Sequence, residues 1–295
     1  MGNRTKTMRL GVSFWIALCW LVFVIISSLT ADWWSIPEPD KMDWDNLSAT
    51  PGTVNQLAVL QGAGEIEQSP YVYRLGTDTM GRDLVSRLIY GARISLSVGL
   101  LAPSIGFLIG GLLGCMAGFY RGIIESSIVA IIDIILAFPG LVLLLAVTFY
   151  LGPSLQNLIL SLGFLTIPAF CRVARAKTLS ISNLEFIQAA RLTGAGDLSI
   201  LVREIVPNVV IPVAVYGLLV VAFMIMAEGA LSFLGLGVPA PTPSWGGMIA
   251  EGKEVLDETP HVSMIPAATM FLTVISFNLI GDSLRNFFEH GKSQI

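Results

Sequence analysis

The sequence predicts an all-α integral membrane protein with six transmembrane helices. Three observations predict it. Of 295 residues, 54% are apolar or aromatic and only 13% are charged, about half the ~25% expected of a soluble domain. The mean hydropathy is +0.75. Six stretches approach the ~20 apolar residues that a helix needs to cross a bilayer core of ~30 Å. A disordered chain, a coiled coil and an ordinary soluble enzyme are excluded.

The elements follow in order. Residues 1–9 form a tail with Arg4, Lys6 and Arg9, and the first span covers 10–31. Leu29-Thr30-Ala31 loosely resembles a cleavage site, but a signal h-region is only ~7–15 residues. The longer stretch here reads as an uncleaved anchor. Residues 32–92 are polar, with Pro37, Pro39, Pro51, Gly52, Gly62 and Gly64. They are expected to form a long external loop with an amphipathic stretch toward its end. Residues 93–286 form a core of five further spans: Ile94–Phe119, Ile128–Phe149, Leu155–Cys171, Val209–Leu234 and Met264–Ile280. Gly152-Pro153 makes a tight turn, 172–207 is a polar loop, 235–262 is rich in Gly and Pro, and 287–295 is a second tail.

Charge and composition exclude several functions. The net charge is −4, so no basic surplus is available for nucleic acid. Cys19, Cys115 and Cys171 lie in apolar stretches and do not describe a disulfide framework. His261 and His290 are far apart, and no Cys/His cluster marks a zinc site. Six spans place both termini on one side. Eleven Lys and Arg residues then fall on that side against six on the other, which makes it the cytoplasm. No internal repeat suggests an inverted-repeat secondary transporter.

The loop 172–207 holds the densest signals. Ser182-Asn183-Leu184-Glu185 reads as a capping box. Gly194 and Gly196 then interrupt a helical stretch. Asp197 is placed to cap a second helix over 198–205, with Leu198, Leu201, Val202 and Ile205 on its apolar face. Pro207 is expected to end or bend that helix. A helix–turn–helix at the membrane surface follows. It either seats the bundle or docks a soluble partner.

Two acids fall within spans, Asp133 and Glu228. A charge at the bilayer centre costs ~2.5–3.5 kcal/mol on insertion scales, so each should face the bundle or a water path. They line a translocation path or its gate, or they are hydrogen-bonded acids that hold helices together; a proton relay is a third reading. Gly106, Gly110, Gly114 and Gly118 recur every four residues, a stripe that lets another helix backbone approach closely. That helix belongs to this chain or to a second subunit. Pro139-Gly140 predicts a kink in the third span, a candidate hinge. Gly291-Lys292-Ser293 is not a phosphate-binding loop, because Asn286 stands where the pattern needs Gly. Asn46-Leu47-Ser48 fits a glycosylation sequon by pattern alone. No H-E-x-x-H and no nucleophile with its base suggest an enzyme.

Gln188-Ala189-Ala190-x3-Gly194-x9-Glu204-Ile205-Val206-Pro207 resembles the coupling loop of permeases from binding-protein-dependent ABC importers. The family pattern is E-A-A-x3-G-x9-I-x-L-P; here Gln188 replaces the Glu, Glu204 the first Ile and Val206 the Leu. Leu75-Gly76-Thr77-Asp78, Gly81-Arg82-Asp83, Ala227–Gly237, Pro241–Gly246 and Phe277–Asp282 resemble signatures of the dipeptide, oligopeptide and nickel permeases, C-type subunit. The resemblance implies a type I ABC importer permease fold with a cytoplasmic coupling helix between the fourth and fifth spans.

It also implies roles. Glu185, Gln188, Ala189, Ala190, Gly194 and Pro207 would form the ATPase-docking surface. Read from the charges alone, Asp78, Arg82, Asp83 and Arg87 would be a platform for an external binding protein, or a solvated interfacial helix with weak surface ion pairs. The chain would hold no cofactor and catalyse nothing, with ATP and Mg on partner ATPase subunits. Its partners would be a B-type permease, two ATPases, a substrate-binding protein and membrane lipid. Its place would be a bacterial cytoplasmic membrane and its cargo di- or oligopeptides, with nickel complexes or another small solute as the alternative. An ion-coupled secondary transporter using Asp133 or Glu228 is the rival class.

Overall fold

The computed structural model describes residues 11–55 and 71–291. The basic residues of the N-terminal tail, Gly62, Gly64 and Lys292 lie outside them. Among the described residues, five helices are long and apolar enough to cross a membrane: α1 (Val12–Leu29), α2 (Leu84–Tyr120), α5 (Leu155–Ser182), α7 (Asp197–Phe233) and α9 (His261–Gly291). A sixth crossing is made if α3 (Gly122–Ala137) and α4 (Gly140–Leu151) count as one broken span. Two shorter α-helices are α6 (Glu185–Leu192) and α8 (Trp245–Gly252).

The helices overrun the predicted spans where polar residues follow apolar ones. Helix α2 starts at Leu84, ten residues early, because Asp83 caps it by accepting from the Ser86 N–H at 2.9 Å. Arg87 and Arg93 therefore sit in a helix rather than a loop. Helix α5 runs to Ser182, not Cys171, so the loop beyond it is much shorter than expected. Ser182 closes α5 by donating to the Thr178 carbonyl, and α6 begins after Leu184 with no side-chain cap; the expected capping box does not form. Asp197 is the first residue of α7 rather than its cap. Pro207 does not end the helix. A π turn over Leu201–Ile205 widens the coil where its ring would crowd Arg203, and α7 continues to Phe233.

The third span is broken more sharply than a kink. Phe138 is extended, as the residue before a proline prefers, and α3 and α4 meet at 81°. The glycine stripe packs inside this chain, against α5. A Cβ on Gly114 would lie 2.7 Å from that of Ala174, and one on Gly118 at 2.7 Å from that of Thr178. Phe170 on α5 is fully buried, with Phe107 and Tyr216 edge-on to it. A second core joins α1, the first half of α2, α8 and α9, where the Trp20 indole donates to Thr273 at 3.1 Å.

The bundle has two distinct ends. One carries a small lobe, residues 31–55 and 71–83, in which β1 (Thr53–Val54) pairs antiparallel with β2 (Val72–Tyr73). The other carries α6 and the start of α7; there the Arg121 guanidinium reaches Asn183. These are called the lobe end and the loop end below.

Candidate functional site

At the loop end, α6 is pinned by one fully buried residue, Ile187. Ile200, Leu201 and Ile205 anchor the start of α7 into the same core. Leu198 and Val202, expected on the buried face, are exposed instead, and the buried positions are their neighbours. Leu201 and Ile205, expected on the same face, are buried, and Ile200 joins them. Between the anchors lies an exposed surface. Glu185, Gln188, Ala189, Gly194 and Pro207 are all exposed, and Ala190 is half-buried. Leu192 projects with 89% of its surface free.

The turn itself needs a glycine. Gly194 has φ +85°, and a Cβ added there would meet nothing within 4 Å; its N–H donates to the Arg191 carbonyl, and the Ala195 N–H to that of Ala190. This is the glycine-closed helix end. Arg191 lies over the Phe119 ring, 5.5 Å from its centroid, and so ties the loop to the end of α2. The surface is exposed and mixed, with Ala189, Leu192 and Gly194 beside the polar Glu185 and Gln188, and it is backed by the buried anchors.

At the lobe end, the structure corrects an expectation. Asp78, Arg82, Asp83 and Arg87 are all buried, so they present no contact surface to a docking protein and are no solvated face. Asp78 Oδ2 accepts from Arg82 Nε at 2.7 Å and lies 3.2 Å from Arg87 Nε. Its Oδ1 accepts from the N–H groups of Met80 and Arg82. Glu251 on α8 closes the group, with Oε2 at 2.7 Å from Arg82 Nη2 and 3.1 Å from Arg87 Nη2. Two cations meet two carboxylates, and the lobe is bolted to α8. Asp83 stands apart as a helix cap that also accepts from the Tyr71 hydroxyl. Burial raises the Asp83 carboxyl above the ordinary value, against the pull of those hydrogen bonds. Burial likewise pushes the Tyr73 hydroxyl up to about 12, helped by its bond to Asp43.

The two intramembrane acids part company. Glu228 is fully enclosed within this chain. Its carboxylate accepts from Ser232 and Ser244 at 2.8 Å and from Ser95 at 3.3 Å. Ser244 caps α8 and Ser95 accepts from the Trp245 N–H, so Glu228 joins α2, α7 and α8. This is the hydrogen-bonded structural acid. Asp133 is the opposite: it is exposed on α3 and paired with Arg172 of α5 at 2.8 Å.

Sequence reasoning missed Glu251, Ser95, Ile187 and Glu125, and it did not pair Asp133 with Arg172. Glu251 is 164 residues from Arg87, and no local pattern signals such a pair. Ile187 was findable, since E-F-I-Q-A-A-R-L is amphipathic at helical spacing.

Residues 110–294 match the family described as the inner membrane component of binding-protein-dependent transport systems. The chain belongs to that family. It is the permease subunit of an ABC importer, a multi-pass and non-catalytic membrane component of a system that includes ATPase and substrate-binding subunits. Relatives include the glutathione transport system permease protein GsiD of Pectobacterium atrosepticum, 41% identical over 212 residues, covering 72% of this chain and 70% of that one. The protein of that name from Escherichia coli O6:K15:H31 is 38% identical over 271 residues, covering 92% and 84%. A chain of the inward-facing MetNI methionine ABC transporter shares the fold, with a TM-score of 0.53 at 18% identity over 67% of this chain and 96% of that one.

Proposed function

We propose that this permease subunit imports small peptides, of the size and chemistry of glutathione, by alternating access. The observation that carries its mechanism is the loop-end surface: an exposed patch of small and polar side chains on a helix pinned by Ile187 and closed by Gly194. Such a patch suits an ATPase groove, because the small side chains of Ala189 and Ala190 allow close approach and the anchors pass a push directly into α7. On this reading the loop end is cytoplasmic, as are both termini. ATP and Mg bind on two separate ATPase subunits, and a B-type permease completes the path. The lobe faces outward, where a binding protein delivers the solute.

The names of the relatives support the peptide class. ATP closes the ATPase dimer, the loop-end helices move with it, and the bundle opens to the outside; hydrolysis reverses the motion.

The test is reconstitution with the companion subunits. Wild-type transporter should take up labelled glutathione or a dipeptide only with ATP. Gly194→Trp should insert normally yet abolish uptake, and normal uptake by that variant would refute the coupling assignment. A reporter fused at residue 180 should read cytoplasmic.

A further inference from the structure

Helix α6 presents one stripe outward. Glu185, Gln188, Ala189 and Leu192 recur at i, i+3, i+4 and i+7, the spacing of a single helix face, and all four are exposed. Ile187 turns the other way, into the core. The stripe differs from the pattern it resembles at one position, since Gln188 stands where the pattern has Glu. The amide has its own task. Gln188 Nε2 donates to the Asn183 carbonyl at 3.4 Å, beside the contact of Arg121 with the Asn183 side chain. An ionised carboxylate has no hydrogen to donate, and at position 188 it would set acceptor against acceptor. Gln188 therefore serves the closure of the loop itself, and its place on the face carries no charge.

A charge is present on the same face one turn earlier. Glu185 is exposed, and its carboxylate makes no hydrogen bond or ion pair with the described residues. The one cation of α6, Arg191, is engaged with the Phe119 ring. The other carboxylates between 183 and 207, Asp197 and Glu204, belong to α7. At the far end of the stripe Leu192 has almost no cover in this chain. It follows Glu185 by seven residues, about 10 Å along the helix at ~1.5 Å per residue. Between the two, Ala189 has the short side chain that lets a partner's backbone come close.

We propose that Glu185 and Leu192 are the two contacts by which this permease selects its ATPase, which must set a basic side chain opposite Glu185 and an apolar socket for Leu192 about 10 Å away. The inference rests on the reading of this loop as the ATPase-docking surface. A free carboxylate favours a basic groove and rejects an acidic one. An exposed leucine gains by entering a dry socket. An ATPase built to receive a carboxylate at the position of Gln188 meets an amide there, with the charge three residues out of step, and is disfavoured.

The test titrates the ATPase subunit that copurifies with the chain, once purified, onto the permease pair in lipid nanodiscs. The dissociation constant is read at about 50 mM and about 0.5 M salt. Glu185→Gln should weaken binding about fivefold at the lower salt and lie within about twofold of wild type at the higher, because salt screens an exposed charge contact. Leu192→Ala should weaken binding about tenfold at both salts, since the burial of apolar surface is not screened, and Leu192→Met should recover most of the loss. Wild-type affinity in Glu185→Gln or in Leu192→Ala, or a loss in Glu185→Gln that persists at high salt, would overturn the assignment. So would binding restored by combining Glu185→Gln with Gln188→Glu, which would put the functional charge at 188. Gly194→Trp tests the docking reading separately. If it releases the ATPase while both face variants bind like wild type, the loop docks the ATPase and this face does not select it.

Discussion

Asp78→Ala should be the most damaging single change at the lobe end. The carboxylate accepts from two backbone N–H groups and from Arg82 Nε, and lies 3.2 Å from Arg87 Nε. Its removal leaves two buried guanidinium groups facing Glu251 alone. Breaking a buried pair by deleting one partner costs about 3–5 kcal/mol, or roughly 10 °C in melting temperature for a chain of this size. Glu251→Ala should cost less, about 1–2 kcal/mol, because that side chain keeps 30% of its surface in solvent. The two losses should not add, since both carboxylates serve the same two arginines. The assay is thermal unfolding of the transporter in mild detergent, followed by tryptophan fluorescence. A shift below about 2 °C for Asp78→Ala, the range of ordinary surface substitutions, would refute the reasoning. So would a larger shift for Glu251→Ala than for Asp78→Ala.

Three further outcomes follow from the geometry. Gly114→Val should destabilise the contact of α2 with α5 by about 1–3 kcal/mol, because a Cβ there meets that of Ala174 at 2.7 Å; Gly111→Val, with nothing within 4 Å, should leave folded yield in the membrane unchanged. Gly194→Ala should cost about 1–2 kcal/mol through its left-handed φ of +85° and reduce uptake per ATP hydrolysed, read as transport-to-ATPase ratio. Glu228→Leu should lower the melting temperature more than Glu228→Gln, since it leaves three buried serine hydroxyls without their acceptor; equal losses would mean that packing rather than hydrogen bonding holds α8.

Hydropathy counted the spans well and placed their ends poorly, for one reason. A span is recognised where apolar residues stop, but a helix continues for as long as its backbone bonds are satisfied. Helix α5 therefore runs past Arg172 and Arg175 to Ser182. The helix–turn–helix at the loop end was legible from the glycines that break it, Gly194 and Gly196, although the capping residues read beside them do not act as caps. Its exact face was legible only in part: Leu201 and Ile205 are buried as read, while Leu198 and Val202 are exposed and Ile200 takes their place. The glycine stripe was legible as a contact surface, while its partner on α5 required tertiary structure. The lobe network was the least legible. Charges at 78–93 look like a solvated surface until Glu251 arrives from more than 160 residues away. The two acids within spans looked alike in sequence; three serines from separate helices enclose one, and an arginine on an open face meets the other.

The most direct measurement is what travels with the chain. The protein, tagged at its C-terminus and extracted from its native membrane in mild detergent, should bring a second permease and ATPase subunits, and Gly194→Trp should release the ATPases while keeping the permease partner. A lone or homodimeric chain whose transport survives ATP depletion would contradict the account.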